Sequence, residues 1–241
     1  NYRAAFVGLA DIVSDGETKQ FGPISGAVAG FSVPEYNRIF VFDPPSKNEL
    51  TSAISWLKRQ NVPFWATLSE PVVDTMNEFP GRYELKKSHE DRGMVLQLSS
   101  EIQSQEQFDD ISAVNNDTML EEFVAVFSSV FGRSEEITSN VYRPLVADNT
   151  TELFIGMIGE KPVACGVLSQ SDSIAGLYSI GVLEDFRRQG LGEAMTRAIL
   201  RSGWEAGCRM AVLQSTDMGY PLYKQMGFET VITYQHFEPT T

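Results

Sequence analysis

Apolar positions along the chain follow two rhythms, short continuous runs and faces spaced by three and four residues, separated by proline, glycine or charge. In the first half, RIFVF (38–42) predicts a buried strand, which the two prolines of DPPS (43–46) stop. Ser46 and Glu49 stand at capping-box spacing ahead of Leu50, Ala53, Ile54 and Leu57. That face predicts an amphipathic helix from about Lys47 to Arg59. VPFWATLS (62–69) predicts a second strand, and PVVDTMNEF (71–79) a short helix opened by Pro71, where a missing N–H is harmless. The glycine-rich FGPISGAVAGF (21–31) fits either a loop or a tightly packed strand.

The second half opens with Thr118 and Glu121, again at capping-box spacing, before Leu120, Phe123, Val124, Phe127 and Phe131 on one helical face that Gly132 ends. ELFIGMIG (152–159), PVACGVLSQ (162–170) and AGLYSIGVL (175–183) are short, apolar and bounded by turn residues, which predicts neighbouring strands. EKP (160–162) supplies the hairpin turn between the first two. Beyond Gly192 the period changes: Met195, Ala198 and Ile199 mark a helix that stops at Gly207, and RMAVLQST (209–216) is one more strand. Strands and helices that alternate in this way predict an α/β protein, a mixed central sheet flanked by helices. The polar run SSEIQSQEQ (99–107) separates the two halves, so a boundary is expected there, giving segments 1–105 and 106–241.

With 241 residues, 42% hydrophobic and 21% charged, the chain is of ordinary globular composition. No apolar run reaches the ~20 residues of a membrane helix, and the patch Ala4 to Ala10 is cut off by Asp11 without a cleavage site. A cytoplasmic protein without a membrane partner is expected. The chain opens on Asn1, which leaves room for a natural start upstream. Nineteen basic against 32 acidic residues give a net charge of −13. That charge opposes a broad hold on nucleic acid and suits a cationic partner. Cys165 and Cys208 form no close pair, so two buried free thiols in a reducing compartment are expected, with a disulfide between them as the alternative and no metal site. His89 and His236 lack a partner motif and receive no role. Trp56, Trp65 and Phe127 are expected in the core.

EDFRRQGLGEAM (184–195) places two adjacent arginines in this acidic chain. It sets Arg187, Arg188, Gly190 and Gly192 between a predicted strand and a predicted helix. Amides at a helix start are unsatisfied donors at the positive end of a dipole, and glycine lets a phosphate approach them. The turn is therefore a candidate phosphate cradle, although glycines there also serve a plain tight turn. A Walker loop is excluded because Glu193, not lysine, follows Gly192, and a dinucleotide fingerprint fails because Met195 stands where its third glycine belongs.

Arg187, Gly190 and Gly192, after a strand ending in Ile180, Gly181 and Val182, resemble the Arg/Gln-x-x-Gly-x-Gly/Ala signature of the GNAT acetyltransferase superfamily. LQSTDMGYPLYKQMGFE (213–229) is similar to that family's strand, short tyrosine-bearing helix and Gly-Phe before a last strand. The resemblance covers roughly Gln107 to Phe237. The first half lacks the signature and looks only like a degenerate copy, so two such halves in tandem are expected.

The resemblance implies acetyl-CoA as co-substrate and transfer of its acetyl group to a primary amine by direct attack in a ternary complex, and the acidic charge favours a small-molecule amine. It implies that the backbone of Arg188, Gln189, Gly190, Leu191 and Gly192, beside Arg187, holds the pyrophosphate. Ile180 and Val182, flanking Gly181, would meet the pantetheine arm, and Tyr223 would protonate the departing thiolate. Thr216 stands where many members have asparagine, which blurs one cofactor contact. An amine of pKa ~10.4 needs a base, and Glu152, Asp172, Asp185 and Glu193 are all candidates that no spacing separates. The first half would shape the acceptor cleft or serve as an oligomerisation surface, with a homodimer as one outcome. A non-catalytic acyl-CoA-binding sensor or assembly module is the alternative.

Overall fold

The computed structural model describes residues 2–13, 15–76, 79–104, 110–146 and 150–240. The boundary expected between residues 105 and 106 lies outside them. The chain begins with α1 (Tyr2–Ile12), the hairpin β1 (Glu17–Phe21) and β2 (Ile24–Val28), then β3 (Asn37–Val41), α2 (Lys47–Arg59), β4 (Trp65–Ser69), α3 (Glu70–Asp74), α4 (Phe79–Arg82) and β5 (Leu85–Gln97). There follow β6 (Ile111–Ala113), α5 (Asp117–Phe131), α6 (Glu135–Leu145), β7 (Thr151–Ile158), β8 (Lys161–Ser171) and β9 (Ile174–Val182). The last elements are α7 (Leu191–Glu205), β10 (Met210–Ser215), α8 (Tyr220–Gln225) and β11 (Glu229–Pro239).

Contacts gather these elements into two units that no single cut in the sequence reproduces. Tyr2–Met94 joins Ser215–Lys224 and Glu229–Thr241, while Val95–Gln214 joins Gln225–Phe228. In the first unit the strand order is β1-β2-β3-β4-β11-β5. The pairs β1/β2, β2/β3 and β4/β11 are antiparallel, and β3/β4 is parallel. In the second the order is β10-β9-β8-β7-β6, parallel only between β10 and β9. The fold is thus mixed α/β, sheet flanked by helices.

The first unit's core is the α2 face read from the sequence. Leu50, Ala53, Ile54, Trp56 and Leu57 pack on Ile24, Ile39, Val41, Ala66 and Leu68, each large side chain contributing about 1.5–3 kcal/mol by burial. The capping box is in place: Ser46 N–H donates to Glu49 Oε2 at 2.7 Å and Glu49 N–H to Ser46 Oγ at 3.3 Å. The Ser46 N–H, with help from its hydroxyl, holds the Glu49 carboxyl below its ordinary range. The glycine-rich stretch resolves into the β1/β2 hairpin, with all of β2 buried. The short helix expected over 71–79 ends at Asp74; Asn77 and Glu78 lie outside the described residues.

Two features depart from the sequence expectation. Arg38, inside the run read as an apolar strand, is buried, and it is satisfied by the Glu35 carbonyl and the Tyr2 hydroxyl, both at 2.8 Å. In the second unit the cap of α5 is Asn116, not Thr118: extended at φ −151°, it accepts from Met119 N–H at 3.0 Å, which leaves Thr118 inside the first turn. α6, unmarked in the sequence pattern, is capped by Ser134 and joined to α5 by Ser128 Oγ–H donating to Thr138 Oγ1 at 2.8 Å.

Candidate functional site

β9 and the turn after it form the candidate site. β9 pairs with β10 only from Ile174↔Met210 to Leu177↔Leu213. Past Leu177 no pair joins the two strands among the described residues, although β9 runs on to Val182. On the other edge β8 follows β9 as far as Ala164↔Val182, across an irregularity between Cys165 and Val167. Ser179 sits opposite that irregularity at φ 53°. Its carbonyl accepts from Cys165 Sγ–H at 3.6 Å and its Oγ lies 3.0 Å from the Tyr142 hydroxyl. Leu183 N–H donates to Val163 O at 2.9 Å, toward β8. By the alternation of a strand, Ile180 then turns its N–H and C=O groups, and Val182 its N–H, to the edge that β10 has left, the Val182 carbonyl being taken by Arg187. An extended chain placed there has unpaired partners waiting.

Gly181 is fixed by packing. A Cβ on it would meet Val130 Cγ1 at 2.6 Å and the Phe131 ring at 3.1 Å, so α5 backs the strand at this residue. Gly181→Ala is therefore expected to lower stability by about 1–3 kcal/mol, read as a shift of the urea midpoint at unchanged slope. An unshifted midpoint would show that α5 can retreat freely.

After β9 the chain makes a short 3-10 turn at Glu184–Phe186 and enters α7 through Arg188 at φ 64° and Gly190 at φ 84°, ψ −8°. A second glycine-dependent feature follows: at Gly190 a left-handed backbone is required, and the space where a Cβ would point is open for 4 Å. The helix begins its internal bonds at Ala194 N–H to Gly190 O, 3.0 Å. The amides of Leu191, Gly192 and Glu193 precede that first bond and have no carbonyl inside the helix. Side chains cap α2, α5 and α6, but none caps α7. Glu193, in the first turn, is held by Arg197 through bonds of 2.9 and 2.6 Å, which limits its repulsion of an anion. Arg187 is committed elsewhere, since its Nε–H donates to the Val182 carbonyl at 3.1 Å and straps the turn to the strand. The side chains of Arg188 and Gln189 are exposed.

Tyr223 and Thr216 belong to the other unit. Tyr223 is half-buried in α8, its ring over Gly219, where an added Cβ would meet its Cε2 at 2.9 Å. Burial pushes its hydroxyl up to about 12, which keeps it a neutral phenol. Thr216 opens α8: its Oγ1 accepts from Gly219 N–H at 3.4 Å and its carbonyl from Tyr220 N–H at 3.1 Å.

The four carboxylates named as bases are scattered. Glu152 accepts from Ser202 Oγ–H, Asp172 occupies the β8/β9 hairpin tip at φ 50°, Asp185 lies in the exposed 3-10 turn, and Glu193 is paired as above. Trp56 and Phe127 are core residues, and both cysteines are buried, Cys165 with its thiol pushed up to about 12 by that burial. Among the described residues no helix is long and apolar enough to cross a membrane.

One constellation went unread in the sequence. His89 and His236, given no role, stack at 4.3 Å between ring centroids and 12° between planes, beside Asp91 and Trp65. Burial drives His236 down to about 4 and lowers His89, with the nearby Arg38 guanidinium adding to both effects. No local signal could have joined residues from β5 and β11, because only their pairing in one sheet brings them together.

Comparison with known proteins places this geometry. Residues 116–228 match the Acetyltransferase (GNAT) family. Over 84 residues the chain is 27% identical to "Uncharacterized N-acetyltransferase YjcF" of Bacillus subtilis (strain 168), matching 35% of this chain and spanning about 60% of the length of that curated relative. A GCN5-related N-acetyltransferase from Kribbella flavida superposes with a TM-score of 0.75 at 16% identity, covering 99% of this chain and 94% of that one. One from Sphaerobacter thermophilus gives 0.65 at 13%, covering 90% and 76%. A tandem GNAT protein from the clavulanic acid biosynthesis pathway gives 0.60 at 11%, covering 89% and 77%. The strand whose edge opens at Ile180 and the uncapped helix start at Gly190 both lie inside residues 116–228, the segment that matches the Acetyltransferase (GNAT) family.

Proposed function

We propose that the chain is an acetyl-CoA-dependent N-acetyltransferase that acetylates a primary amine on a small molecule. The observation that carries this reading is the uncapped start of α7 soon after a strand edge left open at Ile180 and at the Val182 N–H. The two features suit a phosphate-bearing head and an extended amide-bearing arm. The cradle fits a pyrophosphate because Gly190 leaves it open and the helix dipole favours anions there. Backbone amides of Arg188 to Gly192 hold the pyrophosphate, and Ile180 and Val182 pair with the pantetheine amides as a neighbouring strand would.

Acetyl-CoA supplies an acetyl group activated as a thioester. The amine, of pKa ~10.4, must shed a proton before it attacks. Backbone N–H groups on the open edge of β9 stabilise the carbonyl oxygen as it gains charge. Tyr223 delivers a proton to the sulfur as it leaves. With its hydroxyl near 12 and a thiol near ~8.5, that transfer is uphill unless a proton reaches the phenol oxygen in the same step, and the attacking nitrogen is the source of it. Residues 106–241 form the acetyltransferase domain in this reading, with 1–105 a degenerate copy that shapes the acceptor cleft. The charge of −13 suits a cationic acceptor.

The test is release of free CoA thiol on a panel of polyamines, amino acids, aminoglycosides and simple amines, with acetyl-CoA calorimetry on the same sample. Amine-dependent release is expected. Tight binding without release on any amine would replace the enzyme by an acyl-CoA-binding module, and no binding would overturn both.

A further inference from the structure

We propose that His89, Asp91 and His236 form a binding site for a divalent transition cation of the zinc type, which ties β5 to β11. All three residues lie in one unit, so the proposal stands apart from the acetyl-CoA reading.

His89 and Asp91 are two residues apart on β5, and the alternation of a strand puts them on one face. His236 comes from β11. Their donor atoms all lie within 4.8 Å of one another. His236 Nε2 is 3.1 Å and His89 Nε2 is 3.9 Å from the same Asp91 oxygen. A tetrahedral ion with bonds of about 2.0–2.1 Å separates its ligands by roughly 3.3 Å, so small side-chain shifts complete the geometry. Two imidazoles and one carboxylate are donors that suit zinc and leave a fourth position for water.

The second observation is an orphaned atom. His236 is wholly buried, and its Nε2, though close to Asp91, makes no hydrogen bond there. Buried polar atoms are nearly always satisfied, and one left unpaired costs about 1–3 kcal/mol. Its other nitrogen, Nδ1, lies 3.0 Å from Thr67 Oγ1. When Nδ1–H donates to that hydroxyl, the Nε2 lone pair is left toward Asp91, free to take a cation. Such an outer contact is what fixes the tautomer of a metal-bound histidine.

The surroundings are not uniformly favourable to a cation. The Arg38 guanidinium faces the two histidines, held by Tyr2 and the Glu35 carbonyl. Opposing it, Asp91 is in the cluster and the Glu35 and Glu238 carboxylates act on His89 from nearby. The Trp65 ring, 4.6 Å from His89 and 5.4 Å from His236, forms an apolar wall that strengthens charge interactions on its inner side. His89 is 36% exposed in its side chain and provides the way in.

The full chain, freed of metal with a chelator, is titrated with zinc and separately with cobalt(II). One equivalent is expected to bind with Kd of about 1 μM or tighter, and zinc is expected to raise the melting temperature. His89→Gln and Asp91→Asn, both outside the fully buried core, should each weaken zinc binding by at least ~10-fold and lose the thermal shift. Retained circular dichroism would establish that both remain folded. Absence of binding to the folded wild type, unchanged affinity in both variants, or a cobalt spectrum with thiolate charge transfer from Cys165 or Cys208 would each overturn the proposal.

Discussion

Gly190→Glu is expected to weaken acetyl-CoA binding by roughly 100-fold or more, a loss of about 2.7 kcal/mol. Two causes act at one atom. The backbone at φ 84° strains any side chain, and a carboxylate extending from the α7 start occupies the donors that the phosphate needs. Strain alone does not account for the loss, because Gly190→Ala meets the same φ, enters open space and carries no charge. It should cost about 1–2 kcal/mol of stability and only a few-fold in affinity. Calorimetry on both variants, with urea unfolding as the control on folding, separates strain from charge. Wild-type affinity in Gly190→Glu would remove the helix start as the anion site.

The second large effect is on turnover. Tyr223→Phe is expected to lower kcat by about 100- to 1000-fold, within the range for loss of one general acid, with little change in acetyl-CoA affinity. The phenol oxygen is the only atom removed, so the ring keeps its contact over Gly219. The pH profile gives an independent readout. A folded-state pKa near 12, above the ordinary 10, means that the hydroxyl stays protonated through neutral and mildly alkaline solution. Wild-type rate should therefore rise with pH as the amine deprotonates and show no fall near 10. An unchanged kcat in the variant would take Tyr223 out of the mechanism; a fall in rate near pH 10 would mean its hydroxyl is not held up by burial.

Legibility in the sequence followed the range of the forces involved. α2 was readable to the residue because its face, its capping box and its proline stop are all local to a dozen positions. The turn Arg187–Gly192 was readable as a strand-to-helix turn because glycines at a helix start are a local device. β5 was not, since LKKSHEDRGMVLQ carries charge where a strand pattern shows alternation. α6 was hidden by polar residues and by Pro144 in its last turn. Asn116 and Thr118 both satisfy the residue preference for a cap, and only the backbone angle decides between them.

The sequence by itself determined the α/β class, the order of most elements and the glycine-bearing turn into α7, because hydrophobic period, capping and glycine placement act between near neighbours. Tertiary structure alone decided what lies across space. It sent β11 into the first unit beside β4, opened β9 from β10 past Leu177, buried Arg38 and stacked His89 on His236. Each of these depends on strand pairings between distant residues, and pairing energy carries no signature in either partner until the sheet brings them together.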